Sequence, residues 1–204
     1  LNSNRTRMFK KSVQMVTYAP HFISVVVLVS LLNVFFGQST GLVNNLREML
    51  GLSRELYMGK PQYFRHMYVW SGIWQNMGWD SIIYISALSG VSLDLHEAAT
   101  VEGATRFQRI LHIDLPHIVP TATILLIMNC GNLLNVGFDK VYLLQNDQNL
   151  RHAQVISTYV YEMGLLKNQT SYSSAVGMFN SLISLVLLVA VNYTSKKIGD
   201  TSLW

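Results

Sequence analysis

Charge is scarce in this chain. Only 13% of its 204 residues are Asp, Glu, Lys or Arg, about half the share of an ordinary soluble domain. So few charges do not cover the surface of a soluble globule, which argues against a soluble enzyme, a disordered chain or a coiled coil. One cysteine, Cys130, excludes a disulfide framework and a cysteine-based zinc site. The balance of 15 basic and 11 acidic residues gives no dense basic patch, so nucleic acid is not an expected partner. Internal repeats and low-complexity segments are missing. Catalytic triads, paired carboxylates and the GxxxxGK[ST] phosphate loop are missing too. His112 and His117 stand without a ligand set, so no metal is expected. What is present is hydrophobic residue, half of the chain, which points to a membrane protein.

The distribution of the charges shows the plan. None falls between Lys11 and Arg47, between Asp114 and Asp139, or between Lys167 and Lys196; Asp80 alone falls between Arg65 and Asp94. A spanning helix needs about 20 mostly apolar residues, and each gap holds one. The expected fold is therefore all-α, a polytopic transmembrane helical bundle with spans near residues 18–36, 68–89, 118–136 and 175–193. Four spans put both ends on one side. Arg5, Arg7, Lys10 and Lys11 before the first span, and Lys196 and Lys197 after the last, favour the cytoplasm for that side. Arg47, Arg54, Lys60 and Arg65 would then lie outside, so the orientation needs the middle loop as a second argument. The chain begins with Leu1, and its basic start reads as a loop whose preceding helix is missing. The end reads as a short polar tail. Two long loops, residues 37–67 and 137–174, fall on the outside.

The middle loop, residues 92–117, carries the clearest local signals. Asp94 with Glu97 makes a capping-box pattern, and Thr105 with Gln108 makes a second. Ala98 and Ala99 favour helix. Gly103 suits the left-handed residue that ends a helix. Pro116 is expected to limit the second helix. The loop reads as a helix-turn-helix joined at Gly103. Its first helix is too short to be stable alone, so it packs on its own spans or on a partner. Glu97 and Glu102 suit a partner's arginines. An interfacial helix pair with a solvated face is the other reading.

Glu97-Ala98-Ala99, three residues, Gly103, nine residues, Ile113-x-Leu115-Pro116 resembles, at every spaced position, the EAA loop of binding-protein-dependent ABC importer permeases. TYAPHF (residues 17–22), GWDSIIYISALSGV (78–91), YVYEMGL (159–165) and GDTSLW (199–204) are similar to the branch that carries complex oligosaccharides or polysaccharide fragments. Family members usually have six spans, so the chain looks like the last four, with two N-terminal helices absent. The resemblance implies a non-enzymatic permease subunit in the bacterial plasma membrane. It implies coupling through Glu97, Ala98, Ala99, Glu102, Gly103, Ala104, Ile113, Leu115 and Pro116 to cytoplasmic ATP-binding subunits. ATP and Mg2+ then sit on those subunits, and this chain binds no cofactor. The implied partners are the lipid bilayer, an extracytoplasmic solute-binding protein facing the outside loops, and a second permease subunit in a heterodimer.

A sugar that loses water needs replacement hydrogen bonds. Asn129, Asn132 and Asn135 at helical spacing, with Trp70, Trp74 and Asn76, are therefore the candidate pathway residues; polar glue between helices is the competing reading. Asp80, a carboxylate inside a span, joins the candidates, unless the helix starts late and leaves it in a water-filled vestibule. Two other functions stay open. One is a permease for another solute such as amino acids. The other is a membrane enzyme or receptor with a chance EAA-like loop.

Overall fold

The computed structural model describes residues 4–199 and 202–203. The side chains of Arg5 and Arg7, and most of the GDTSLW segment, lie outside the described residues. All regular elements among the described residues are helical. The chain divides into two compact units, Leu1–Trp79 with Asn135–Val176, and Asp80–Leu134 with Gly177–Trp204.

In the first unit the basic stretch expected as a loop is a helix, α1 (Asn4–Tyr18). Nothing in it opposes helix: there is no Gly or Pro before Pro20, and Arg, Lys, Met and Gln are good helix formers. Pro20 then begins a 3-10 turn, Ala19–Phe22, and has no N–H to continue the ladder. Ser24 is extended, and its Oγ accepts the Val27 N–H at 3.3 Å, opening α2 (Val25–Phe36). The helices Met8–Phe22 and Val25–Phe36 meet at 100°. This corrects the expected straight span at residues 18–36. The 12 residues of α2 reach only about 18 Å, less than the roughly 30 Å hydrocarbon core.

Buried amides hold the rest of this unit together. Asn44 on α3 (Leu42–Met49) is wholly buried. Its Nδ2 donates to the Gly37 and Glu55 carbonyls, each at 2.9 Å, and its Oδ1 accepts the Glu55 N–H at 2.8 Å. Asn149 donates to the Met58 and Leu144 carbonyls at 3.0 Å and accepts the Asn146 N–H at 3.0 Å. Gln75 on α4 (Pro61–Leu88) donates to the Ile23 carbonyl left open by the α1–α2 break, at 2.7 Å. The two expected outside loops are therefore built segments. The first contains α3 and the start of α4. The second contains α8 (Phe138–Leu144), α9 (Leu150–Ala153), α10 (Ile156–Tyr161) and a π-turn, Glu162–Leu166. α2 packs on α3 and α8, and α10 packs on α8.

The second unit holds the end of α4, the short helices α5 (Leu93–Val101) and α6 (Arg106–Arg109), α7 (Leu115–Gly131) and most of α11 (Thr170–Gly199). By length and composition two helices can cross a membrane, Arg106–Gly131 and Thr170–Lys197, or three if the bent pair is one span. α11 shows apolar side chains nearly all round, with Leu182, Leu185, Val186 and Val189 all exposed, as a helix facing lipid or other helices does. Against the four spans expected, α11 covers the last. α7 ends at Gly131, short of residue 136, with Asn132 as its C-cap. α4 covers the second and is long enough, but is not among the helices apolar enough to cross; Gln62, Arg65, His66, Gln75, Asn76 and Asp80 dilute it.

Small residues set two close approaches. A Cβ on Gly78 would stand 2.1 Å from the Thr17 carbonyl oxygen, so only glycine lets α4 lie against the end of α1. A Cβ on Gly131 would meet Leu188 of α11 at 2.7 Å. Around Gly177 nothing lies within 4 Å. Gly78→Ala should therefore destabilise the protein by about 1–3 kcal/mol through overpacking. Gly177→Ala should be neutral or raise stability by up to about 1 kcal/mol. Thermal unfolding in detergent checks both; equal shifts would contradict the close contact.

Candidate functional site

The hairpin at residues 92–116 is assembled by local hydrogen bonds. Ser92, not Asp94, is the N-cap of α5: its backbone is extended and its Oγ accepts the Asp94 N–H at 3.2 Å. Asp94 sits in the first turn, where its charge complements the helix dipole. α5 ends in a Schellman motif. The Ala104 N–H donates to the Ala99 carbonyl at 2.9 Å and the Gly103 N–H to the Thr100 carbonyl at 3.1 Å, with Gly103 at φ +81°. The EAAxxxG spacing is thus the spacing of a helix C-terminus: Ala99 supplies the last-turn carbonyl and Gly103 the left-handed residue. Thr105 and Gln108 complete the expected capping box at 3.3 and 2.8 Å.

The second helix does not stop before Pro116. It passes through a π-turn, Ile110–Asp114, in which the Leu115 N–H donates to the Ile110 carbonyl, and continues as α7. The widened turn accommodates a ring that has no N–H and would collide with the carbonyl four residues back. Two contacts tie the hairpin's arms. Arg109 Nη1 donates to Thr100 Oγ1 at 2.8 Å, and His96 Nε2 lies 3.2 Å from Asp114 Oδ1. The second is an ion pair only when His96 is protonated.

Glu97, Ala98, Glu102 and Gly103 are exposed; Ala99, Ala104 and Ile113 are half-buried; Leu115 and Pro116 are exposed. Neither Glu97 nor Glu102 makes an ion pair among the described residues. The sequence reading missed the apolar rim around them. Val101 is 89% and Phe107 72% exposed, and Leu93 and Leu95 are also open. The signal was available: large apolar residues in the turns of a loop otherwise rich in charge.

The candidate pathway residues are divided between the two units, and those on α4 in the first unit line two different cavities. Trp70 and Trp74 line an almost wholly apolar cavity of about 520 Å3 in the first unit, beside Leu28, Phe35 and Met67, which offers a sugar few hydrogen bonds. Asn76 lies in a different cavity of the same unit, where its Oδ1 is 3.0 Å from His21 Nδ1; the His21 ring stacks on Trp79 at 4.4 Å. Asp80 is exposed and belongs to the second unit. Asn129 is in the last turn of α7, Asn132 is the cap beyond it, and Asn135 follows the helix and falls in the first unit. Their spacing suits a helical stripe, but the helix ends before the third. Among the described residues no three His, Cys, Asp or Glu gather to hold a metal.

One cation passed over in the sequence lies in the Asn76 cavity. Lys140 on α8 is 8% exposed. Its Nζ donates to the Tyr68 carbonyl at 3.0 Å and sits 5.1 Å from the centre of that residue's ring. Burial lowers its pKa from 10.5 to about 8. The unfolded chain holds this proton more tightly, so the group's destabilising effect is full below pH 8 and is relieved as pH rises toward 10.5.

A membrane-embedded helical scaffold with a capped, apolar-rimmed hairpin between helices is the architecture of a transport-system membrane component. Residues 2–200 match the family described as "Binding-protein-dependent transport system inner membrane component", and the chain belongs to it. Across all 204 residues it is 39% identical to Protein LplB and 40% identical to the polygalacturonan/rhamnogalacturonan transport system permease protein YteP, both of Bacillus subtilis (strain 168). The chain spans 64% of the length of each. It also matches, with TM-score 0.91 and 40% identity, a chain in the crystal structure of a bacterial alginate ABC transporter in complex with an alginate pentasaccharide-bound periplasmic protein. That match covers 97% of this chain and 68% of the other.

The cross-brace generates a prediction. Arg109→Met removes the hydrogen bond to Thr100, a bond to a charged donor and worth roughly 1.5 kcal/mol or more. Hydrogen exchange of the α5 amides should then accelerate about tenfold, with exchange in α7 unchanged. Unaltered α5 exchange would show that the brace does not hold the hairpin.

Proposed function

We propose that this chain is a permease subunit of an ATP-binding-cassette importer and forms part of the transmembrane pathway for a sugar or oligosaccharide. An extracytoplasmic solute-binding protein delivers the solute. A separate ATPase subunit binds ATP and Mg2+ and docks on the hairpin, and a second permease subunit completes the channel. The chain itself binds no cofactor and catalyses no covalent step. Both ends face the cytoplasm of a bacterium, with Lys10, Lys11, Lys196 and Lys197 on that side.

The observation that carries this reading is the hairpin. It presents acids without ion pairs and apolar side chains to solvent, which is costly unless a partner covers them, and it does so on a family member at the loop with the EAA spacing. In this reading Ala98 and Ala99 permit close approach, Glu97 and Glu102 meet basic groups of the ATPase, and Gly103 and Ala104 fix the angle between the arms. Ile113, Leu115 and Pro116 pass the movement into α7. The names of the relatives support a carbohydrate. For the pathway, the amide–imidazole cavity at Asn76 and His21 is the best candidate on this chain, with Asp80, Asn129, Asn132 and Asn135 as further polar groups. The apolar surroundings of Trp70 and Trp74 suit a neighbouring helix or lipid better than a sugar.

The test is made in the full-length gene product with its partner subunits. A Cβ at Gly103 meets nothing within 4 Å, so added bulk is harmless and the left-handed backbone is what a substitution strains. Gly103→Val, a β-branched residue in that conformation, is strained by at least about 1–2 kcal/mol. Sugar uptake should fall roughly tenfold while the protein still reaches the membrane and basal ATP hydrolysis persists. Gly103→Asn, which tolerates this backbone, should keep most of the uptake. Equal uptake in both variants would overturn the coupling role of the turn.

A further inference from the structure

The Asn76 cavity holds a buried positive charge that no carboxylate among the described residues neutralises. Lys140 makes no ion pair among the described residues. Of the three donors on its ammonium, one is used on the Tyr68 carbonyl. The carboxylate nearest in sequence, Asp139, is exposed and lines the same cavity, yet does not pair with it. Gly72 makes room for the charge: a Cβ there would stand 3.3 Å from Nζ. A buried, uncompensated ammonium destabilises a fold, so its presence calls for an occupant that compensates it.

The surroundings specify the occupant. The cavity measures about 500 Å3, and His21, Gln75 and Asn76 share its wall with Lys140. This is within the range of ligand clefts, roughly 300–1,000 Å3. One cation among amides and an imidazole suits a ligand with one negative charge and several hydroxyls. Asn76 and Gln75 already bond within the chain, to His21 and the Gly72 carbonyl and to the Ile23 carbonyl, so the ammonium decides the matter: an apolar ligand or a neutral sugar would leave it uncompensated.

We propose that Lys140, which lines one cavity with the His21–Asn76 pair, is the anchor for the carboxylate of an acidic sugar, so that the solute carried is a uronate-containing oligosaccharide. This rests on the oligosaccharide-permease reading above and adds its charge. The two free donors of the ammonium give charge-assisted hydrogen bonds to the carboxylate. Asn76 and Gln75 face the ring hydroxyls. Lys140 selects for the acid, and its burial without a carboxylate partner among the described residues is the stability sacrificed for that selectivity.

The experiment uses the full transporter in phosphatidylcholine nanodiscs, so that no anionic lipid competes. The probes are trigalacturonate and trimannuronate, each beside its fully methyl-esterified form, with arabinotriose as a neutral control. The wild type should bind an acid trisaccharide roughly tenfold or more tightly than its ester. Lys140→Met should abolish that difference while leaving ester binding unchanged, and Lys140→Arg should keep most of it. Gly72→Ala, which crowds Nζ, should weaken acid binding selectively. Lys140→Met should also raise the unfolding temperature of the empty transporter, which a merely structural lysine would not do. A variant that binds acid and ester as the wild type does overturns the proposal. So does a wild type that prefers esters or arabinotriose, although the sugar-permease reading then stands. If no saccharide binds or is imported, that reading fails and takes this one with it. If phosphatidylglycerol, and no uronate, stabilises the wild type through Lys140, the site belongs to a lipid headgroup and the proposal is wrong.

Discussion

A peptide group in hydrocarbon has no water to bond with, so each one must be satisfied by the chain itself. Long helices meet that demand in α4, α7 and α11. The demand also dictates what happens wherever a helix breaks. At the α1–α2 bend, Gln75 reaches the Ile23 carbonyl and Ser24 takes the Val27 N–H. Between α2 and α4, Asn44 closes three backbone groups alone. After α8, Asn149 does the same. At Pro116 a π-turn supplies the missing bond geometry. Buried Asn and Gln are the hardware of this fold, and they allow irregular segments to coexist with apolar helices.

Legibility in the sequence followed the range of these interactions. The hairpin's turn could be read because its parts lie within six residues of one another: Gly103 takes a positive φ, and Thr105 and Gln108 cap as their spacing requires. The membrane character followed from the charge gaps. The parts that could not be read depend on distant partners. Nothing around Asn44 or Asn149 announces that their amides bond backbone up to 91 residues away. Lys140 was passed over, because its burial depends on Tyr68 of α4, 72 residues away. The bend at Pro20 was open to local reasoning, since a proline before a serine N-cap breaks a helix, yet an unbroken apolar run concealed it. The asparagines at 129, 132 and 135 misled for the opposite reason. Their spacing is helical, but spacing does not show where a helix ends.

The same hydrogen-bond demand gives the hairpin its mechanical quality. Two short arms would fray alone. A Schellman closure, a capping box and the Arg109–Thr100 brace join them, and the π-turn carries the second arm without interruption into α7. Under the proposed permease function, a push on α5 would be delivered to α7 and not absorbed at a flexible joint. In the first unit, His21, Asn76 and Lys140 line one cavity together with apolar residues such as Ile23, Val25 and Val69.

Contact between α5 and a nucleotide-driven partner is the central claim, and a crosslink tests it most directly. In the full-length protein with Cys130 and any cysteine outside these 204 residues changed to Ser, Ala98→Cys places a single thiol on the exposed face of α5. It is co-expressed with the candidate ATPase carrying one cysteine at successive positions in its docking groove. The account predicts a crosslink at some groove positions whose yield changes when ATP is added. The absence of any crosslink across the groove, with both proteins folded in the membrane, would contradict it.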